Sequence, residues 1–265
     1  PITILFENNN TRSGDYQKQR AVPRPGHADF VAHQKFGGFE DYRGGGHFSG
    51  RLTVALVAAG VIAKKLLLAL TPEKSKPASG NISVKASLLE IGGEKDIEKG
   101  LQKAIDAKDS IGGIVECRVN GLPLGLGEPF FDSAESLLSH AVFAIPAIRG
   151  IEFGTGFAAA RMFGSEHNDA ITGQNGTTRT NHAGGIVGGI SNGNELVFRI
   201  AVKPTSSTPK VQETLNWETG EIETFSVKGR HDLCIALRVP VVLEAVTAIV
   251  LADLMLTAQK TPRVL

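Results

Sequence analysis

The stretch R-L-T-V-A-L-V-A-A-G-V-I-A-K-K-L-L-L-A-L, at Arg51–Leu70, is the strongest structural signal in the sequence. Its alanine and leucine content favours a helix, and Ser49 stands where a residue would cap the first turn. Three glycines precede it at Gly44–Gly46, and their backbone N–H groups can face a ligand. A phosphate bound near Ser49 would therefore lie at the N-terminus of a long helix.

Shorter strands and helices are predicted around this helix. Strands are predicted at Pro1–Glu7, Ile82–Ile91, Ile111–Val119, Ile148–Phe153, Ile186–Ile190 and Leu196–Val202, and further helices at Glu94–Lys108, Asp132–Ile145 and Pro240–Thr257. A turn at Ser191–Asn194 is expected to join the last two strands. The glycine-rich stretch Ala158–His182 is predicted to be a long, mobile loop. There is no regular βαβ spacing, no G-x-G-x-x-G after a strand and no Walker A motif, which argues against a Rossmann fold.

Composition excludes several classes of protein. A net charge of +1 and an aromatic content of 6% give no support for nucleic-acid binding. The two cysteines, Cys117 and Cys234, have neither disulfide-framework nor zinc-site spacing, which fits a reducing, cytosolic setting. The apolar stretches Leu52–Ala63 and Val239–Ala252 are expected to be too short or too interrupted to span a bilayer, which needs about 20 apolar residues.

Three polar clusters, far apart in sequence, are rich in groups that bind anions. They are Arg24–Asp29 with Arg43–Arg51, then Lys203–Thr208, and finally Lys228–Asp232. Cationic side chains, hydroxyls and flexible glycine backbone recur in them, as a site for a phosphorylated ligand requires. If folding brings the clusters together, they form one large anion-binding site that contains titratable groups.

Each cluster also has a purely structural interpretation. His27, between Gly26 and Ala28, is either an accessible acid–base group or a loop histidine without a role. Ser49 and Arg51 form either a phosphate cradle or the start of an ordinary capped helix. The carboxylate of Asp232 belongs either to a site or to a solvated ion pair that contributes little.

A metal site is not predicted. His167 and His182 lie near Glu166 and Asp169, but this spacing matches no metal-binding motif.

Taken together, the segments resemble chorismate synthases, and they follow the order of that family. The matching stretches are R-P-G-H-A-D (Arg24–Asp29), K-F-G-G-F-E-D-Y-R-G-G-G (Lys35–Gly46), G-L-P-L-G-L-G-E-P-F-F-D (Gly121–Asp132), I-P-A-I-R-G-I-E-F-G (Ile145–Gly154), G-S-E-H-N-D (Gly164–Asp169), N-H-A-G-G-I-V-G-G-I-S-N-G (Asn181–Gly193), V-K-P-T-S-S (Val202–Ser207) and K-G-R-H-D-L-C (Lys228–Cys234).

The resemblance implies a cytosolic lyase of the shikimate pathway, in aromatic amino acid biosynthesis. It would convert 5-enolpyruvylshikimate 3-phosphate to chorismate and phosphate by a 1,4-anti elimination, using reduced FMN without net redox change. Some members of the family reduce their own flavin with NADPH. The implied fold is α+β, a β-α-β sandwich with a helical layer between antiparallel sheets. We expect a single domain over residues 1–265, assembled as a homotetramer, with no nucleic-acid or membrane partner.

The resemblance also assigns roles to individual residues. It implies that His27 protonates the reduced flavin, and that Asp232, near flavin N5, helps to remove the substrate proton. The residues implied for substrate binding are Arg24, Ser49, Arg51 and Arg230. Those implied for flavin binding are His47, Phe48, Ser49, Gly50, Ala147, Gly188, Lys203, Pro204, Thr205, Ser206, Ser207 and Arg230.

Two departures from the family pattern qualify these expectations. The usual stretch R-S-S-A-R-E-T is replaced by H-F-S-G-R-L-T from His47, which removes a cation from the flavin contacts. The family's Ser-His-Gly motif and further arginines precede the stretch in which Pro1 and Ile2 stand. We therefore expect the 265-residue chain alone to be inactive or severely impaired. The alternative is a non-catalytic FMN- or phosphate-binding relative; a flavin oxidoreductase is disfavoured, because no nicotinamide fingerprint is present.

Overall fold

The computed structural model describes residues 2–7, 20–41, 46–70, 81–227 and 232–260. A four-stranded antiparallel sheet has the order β1-β2-β6-β3, with β1 at Ser83–Ile91, β2 at Gly113–Asn120, β3 at Ile148–Phe153 and β6 at Leu196–Val202. Two hairpins pair β4 (Ile186–Val187) with β5 (Ile190–Ser191), and β7 (Gln212–Leu215) with β8 (Ile222–Phe225).

The helices are α1 (Asp29–Phe36), α2 (Thr53–Leu70), α3 (Ile97–Ala107), α4 (Ala134–Val142), the one-turn α5 (Gly164–His167) and α6 (Val239–Lys260). Single 3₁₀ segments lie at Gly50–Leu52, Phe130–Asp132, Gly156–Arg161 and Ile235–Arg238.

The sheet has one apolar face and one charged face. Alternate residues of β2, such as Cys117, and of β6, such as Phe198, are fully buried in the same core as α6. On the opposite face, the buried Glu116 accepts hydrogen bonds from Arg118 (2.6 Å) and Arg199 (2.9 Å). The alternation fixes the strand register, since a shift by one residue would move the charges into the core.

Helices α2 and α6 form the layer that covers the apolar face. They approach closely at Gly60, where a Cβ atom would stand 2.3 Å from Cβ of Ala245. Nearby, the Lys64 ammonium lies 2.5 Å from the Glu244 carboxylate, whose other oxygen accepts the backbone N–H of Ala86 on the edge strand β1. One ion pair therefore joins two helices and a sheet edge.

The expectation that the apolar stretches are too short or too interrupted to span a bilayer was wrong. The helical segments Gly50–Ala69 and Ile235–Ala258 are, by length and composition alone, long and apolar enough to cross a membrane. Lys64 lies within the first segment, and its ion pair with Glu244 compensates its charge there. The two helices pack on each other, and α6 also packs on the sheet.

The α+β class is confirmed. Most predicted elements lie within a few residues of their expected bounds, and Ser49 caps the start of its helix by accepting the N–H of Arg51 at 3.2 Å. Among the described residues, the helical layer has the four-stranded sheet on one side only. Apolar side chains on the outer face of α2, such as Val61 and Leu68, are about half exposed.

Three local predictions were wrong. Ile2–Glu7 forms no strand and is exposed, because no described strand lies beside it to pair with. The predicted strand Ile186–Ile190 is folded back at Gly188 into the β4–β5 hairpin. The stretch 158–182 is not a loop throughout, because it includes helical residues up to Arg161 and at Gly164–His167; its predicted mobility stays a prediction, and Asp169 accepts the backbone N–H groups of His182 and Ala183 at its end.

The close approach at Gly60 gives a test of the helix pair. We expect Gly60→Ala to lower the free energy of unfolding by about 1–3 kcal/mol, since the added methyl group meets the backbone of Ala245. Gly164→Ala is the matched control, because nothing lies within 4 Å of its Cβ position. Urea denaturation followed by circular dichroism measures both. A Gly60→Ala protein as stable as the control would show that the helices do not pack this closely.

Candidate functional site

Several predicted site residues meet at one end of the four-stranded sheet. At this end Val202 of β6 pairs with Gly113 of β2 and with Ile148 of β3. Lys203 follows β6 directly, and its backbone N–H donates to the carbonyl of Ala147 at 3.0 Å. We call this region the site end of the sheet. Because the pairing is antiparallel, residues that are distant in sequence are adjacent there.

The K-P-T-S-S stretch contacts the loop that contains His27. The Lys203 ammonium (2.7 Å) and the Ser206 hydroxyl (2.7 Å) both donate to the carbonyl oxygen of Gly26, and they bond to each other at 2.9 Å. Gly26 has φ +71°, in the left-handed region that glycine adopts without strain. The Arg24–Asp29 part of the first polar cluster and the Lys203–Thr208 cluster therefore lie together.

Arg24, His27 and Asp29 form a compact charged group beside this contact. Arg24 donates from Nε and Nη2 to the two oxygens of Asp29, each at 2.8 Å, and its Nη1 lies 3.4 Å from the Ser207 hydroxyl. Nδ1 of His27 lies 2.6 Å from Oδ1 of Asp29. Burial alone would raise the pKa of Asp29, but the hydrogen bonds and positive charges of Arg24 and His27 lower it well below its usual range.

The β7–β8 hairpin holds this loop in place. Trp217, in the hairpin turn, donates its backbone N–H to Ala21, and Thr214 donates its hydroxyl to the carbonyl of Pro23. The Trp217 ring also stacks on His33 of α1, with ring centroids 4.5 Å apart. The hairpin thus braces both the chain before His27 and the helix after it.

The segment before β2 connects the K-P-T-S-S stretch to the loop of Asp232. Asp109 accepts the Thr208 hydroxyl at 2.7 Å, and this hydrogen bond lowers the pKa of the Asp109 carboxyl. Two residues later, the backbone N–H of Ile111 donates to Leu233 at 2.9 Å. Asp232 is half exposed and paired with Arg238 at 2.6 Å. Asp232 therefore lies in a loop that is anchored at the site end of the sheet.

Two features mark this end as a ligand site. Ala147 has φ +73°, a strained conformation for a residue with a side chain, and such strain is concentrated at functional sites. Burial lowers the pKa of Lys203, and the positive charge of Arg149 acts in the same direction. Cations held this close together favour an anionic ligand, which relieves their repulsion.

Other predicted residues do not join this group. Within the described part of the chain, no hydrogen bond or ion pair joins His47, Phe48, Gly50 or Arg51 to Lys203 or His27. Gly50 and Arg51 lie in the 3₁₀ segment before α2, and His47 and Phe48 lie in the turn before Ser49. Gly188 lies in the turn between β4 and β5. The carbonyl oxygen of Gly184, which precedes β4, accepts the backbone N–H of Val197 near the start of β6. At about 3.3 Å per residue, Lys203 at the far end of that strand is about 20 Å from Val197. Arg230 and His231 lie outside the described residues. Their implied roles in binding stay predictions.

A separate cleft of about 470 Å³ lies on the charged face of the sheet. It is lined by Arg118, Gly154, Thr155, Asn181, Glu195, Val197 and Arg199. Its arginines are paired with Glu116, Glu152 and Glu195, so it offers no free cation to an anion. None of the predicted site residues lines it.

The remaining reactive side chains are not arranged for chemistry. No group of three His, Cys, Asp or Glu side chains among the described residues is placed to bind a metal, although the rings of His167 and His182 stack 5.6 Å apart. Burial raises the pKa of the Cys117 thiol to about 12, which makes it a poor nucleophile at neutral pH. Cys234 is also buried and free.

Two carboxylates hold the site together, and the sequence motifs assign a role to neither. Asp29 lies two residues after His27 within R-P-G-H-A-D, and this spacing is the available signal. Asp109 has no such signal, because its contact with Thr208 spans 99 positions.

The depressed pKa of Asp29 predicts a pH-dependent effect on stability. The ionised carboxylate stabilises the fold at neutral pH, and this contribution is lost as pH falls below the usual range near 4. Asp29→Asn removes it at every pH. We expect the variant to be about 1–3 kcal/mol less stable at pH 7, and this difference to shrink below pH 4. Urea titrations at pH 7 and pH 3 measure both values; a difference that is equal or larger at pH 3 contradicts the ion pair.

Comparisons with known proteins identify the family. The family model described as chorismate synthase matches residues 1–256. A chorismate synthase of Chitinophaga pinensis is 72% identical over 264 residues, covering 100% of this chain and 76% of that protein. One of Dehalococcoides mccartyi is 45% identical over 284 residues, covering 100% and 78%.

A solved structure is also similar. A crystal structure of chorismate synthase matches with a TM-score of 0.60 and 28% sequence identity, covering 79% of this chain and 65% of that one. The sequence motifs, the fold and the relatives lead to the same conclusion: this chain belongs to the chorismate synthase family.

Proposed function

We propose that the site end of the sheet binds 5-enolpyruvylshikimate 3-phosphate and reduced FMN, and that His27 and Asp232 act there. Chorismate synthases are lyases of the shikimate pathway, which supplies aromatic amino acid biosynthesis, and they use reduced FMN. The observation that supports the site most directly is the double hydrogen bond to Gly26. It joins the loop of His27 to the K-P-T-S-S stretch, 177 residues later.

The donors at this end fit both ligands. The substrate has a phosphate and two carboxylates, and the flavin has a phosphate, so a combined site needs several cations and hydroxyls. Arg24 and Lys203 supply cations, with hydroxyls from Thr205, Ser206 and Ser207. When bound, reduced FMN supplies the electron-rich group that the elimination requires. The residues present therefore fit a flavin with a phosphorylated substrate.

Two side chains of the protein, those of His27 and Asp232, can transfer protons. His27 presents an imidazole whose one nitrogen is fixed against Asp29, so the other is available for proton exchange. The Asp232 carboxylate lies 2.6 Å from the Arg238 guanidinium, and a carboxylate can act as a general base. Arg24 holds Asp29 and reaches Ser207, which places a cation beside both elements.

We also propose that the protein is a cytoplasmic homotetramer. Phe130 and Phe131 are 87% and 92% exposed, and Phe130 has φ +64°, a strained conformation that turns an apolar ring outward. Val61 on α2 is also half exposed. Exposed apolar groups of this kind are typical of surfaces that are covered in an assembly. Free, buried cysteines suit a reducing compartment.

An anaerobic assay of the full-length protein that carries this sequence tests the function. Chemically reduced FMN and substrate are supplied, and release of phosphate and formation of chorismate are followed. We expect turnover by the unmodified protein, and a fall of about 10²–10⁴-fold in kcat for His27→Ala and for Asp232→Asn, since each removes a proton-transfer group. Lys99→Ala, at a side chain 75% exposed on α3, is the control and should keep full activity.

Two outcomes would contradict the proposal. FMN binding without turnover would favour the non-catalytic relative. Normal turnover in both site variants would place the chemistry elsewhere in the molecule.

Lys203 gives a binding test that does not depend on turnover. We expect Lys203→Ala to weaken FMN binding by about 10–100-fold, because a charge-assisted hydrogen bond contributes about 1.5–3 kcal/mol. Lys210→Ala, an exposed lysine after the same stretch, is the matched control. Quenching of flavin fluorescence measures both dissociation constants. Equal losses in the two variants would indicate a non-specific electrostatic effect and not a contact.

A further inference from the structure

We infer that Asp29 is a positioning residue, which keeps a proton on Nδ1 of His27 and leaves Nε2 as the nitrogen that exchanges protons with a ligand. The consequence for turnover rests on the proposed function. The tautomer itself does not, because it follows from contacts within the protein.

Two neighbours compete for Nδ1 of His27, and they require opposite states of that nitrogen. Oδ1 of Asp29 lies 2.6 Å away and, as an ionised carboxylate, can only accept. Nη2 of Arg24 lies 3.0 Å away and can only donate. If Nδ1 had a lone pair instead of a proton, two lone pairs would face each other at 2.6 Å. That length is typical of a charge-assisted hydrogen bond, which places the proton on Nδ1.

The arginine does not need the imidazole as an acceptor. Its Nη2 already donates to Oδ1 of Asp29 at 2.8 Å, and its Nε and backbone N–H donate to Oδ2 at 2.8 and 3.1 Å. Arg24 therefore serves to fix the carboxylate, and the carboxylate fixes the imidazole.

The carboxylate is in place before any ligand binds. Asp29 is the first residue of α1, where the helix dipole favours a negative charge. On the other side of His27, the Gly26 carbonyl is held by Lys203 and Ser206, and the backbone N–H of His27 donates to Arg24 at 3.1 Å. The ring is thus fixed by contacts on both sides.

The tautomer decides which nitrogen exchanges the proton. With Nδ1 protonated, the neutral ring has its lone pair on Nε2, which can take up and return one proton at the same atom. The Asp29 carboxylate also fixes the orientation of the ring, as a carboxylate does for catalytic histidines. In the opposite tautomer, Nε2 already holds a proton and cannot accept one.

The ring nitrogens of His27 report the tautomer directly by ¹⁵N NMR of the ligand-free 265-residue chain. The chain has seven histidines, and His27→Gln identifies the signal by its loss. We expect the neutral ring to show a protonated Nδ1 and an unprotonated Nε2. A neutral ring protonated on Nε2 would overturn the inference, whatever the activity of the protein.

Asp29→Asn tests the positioning role. Oδ2 of Asp29 accepts two hydrogen bonds from Arg24, so the amide introduced by the substitution keeps its oxygen there and turns its NH₂ group towards His27. Nδ1 must then accept, and the ring should switch to the Nε2-protonated tautomer. Asp109→Asn is the matched control; it also removes a hydrogen-bonded carboxylate at the site end, but it should leave the His27 tautomer unchanged.

In the full-length protein with reduced FMN, we expect Asp29→Asn to lower kcat by about 10²–10⁴-fold with little change in substrate KM. If Asp29 had only a structural role, its substitution would change neither the tautomer of His27 nor kcat selectively over KM. A variant that keeps the Nδ1 proton, or that switches tautomer yet keeps normal kcat, overturns the inference. Full activity of His27→Ala with the expected tautomer would instead count against the proposed role of His27. If Asp29→Asn does not fold, the spectrum of the unmodified chain decides.

Discussion

Two donors from the end of β6, the Lys203 ammonium and the Ser206 hydroxyl, converge on the single carbonyl oxygen of Gly26. A carbonyl has two lone pairs, and these two hydrogen bonds use both. The contact works because Gly26 adopts a positive φ that turns its carbonyl towards the sheet without strain. The proposed position of His27 beside the K-P-T-S-S stretch depends mainly on this contact, and Nη1 of Arg24, 3.4 Å from the Ser207 hydroxyl, adds a second link.

That contact is precise only because the sheet beneath it is rigid. The site end is defined by the register of β6 with β2 and β3, and this register is set by the alternation of apolar and charged residues. The helix pair seals the apolar face, with Gly60 allowing the close approach and the ion pair of Lys64 with Glu244 joining both helices to β1. Packing far from the site therefore sets the position of Lys203.

Local sequence patterns predicted the elements better than their connections. The strand at Ile148–Phe153 and the capping signal at Ser49 were predicted from neighbouring residues, and both predictions were confirmed. Ile2–Glu7 has a strand-like composition, but a strand also needs a partner, which local pattern cannot show. The bend at Gly188 likewise depends on the packing of Gly189 against the loop before α4. The family motifs predicted the site residues, but the roles of Asp29 and Asp109 required the three-dimensional contacts.

The balance of charge explains why those carboxylates belong in an anion-binding site. Burial and the positive charge of Arg149 lower the pKa of Lys203, and Arg24 reaches Ser207 of the same stretch. Asp29 offsets part of this charge at Arg24, while its bond to His27 sets the ring for proton exchange. Lys203 uses two of its three N–H donors on Gly26 and Ser206, so one remains for an incoming phosphate. The same contacts that assemble the site without ligand thus leave it short of negative charge, and a phosphorylated ligand supplies that charge.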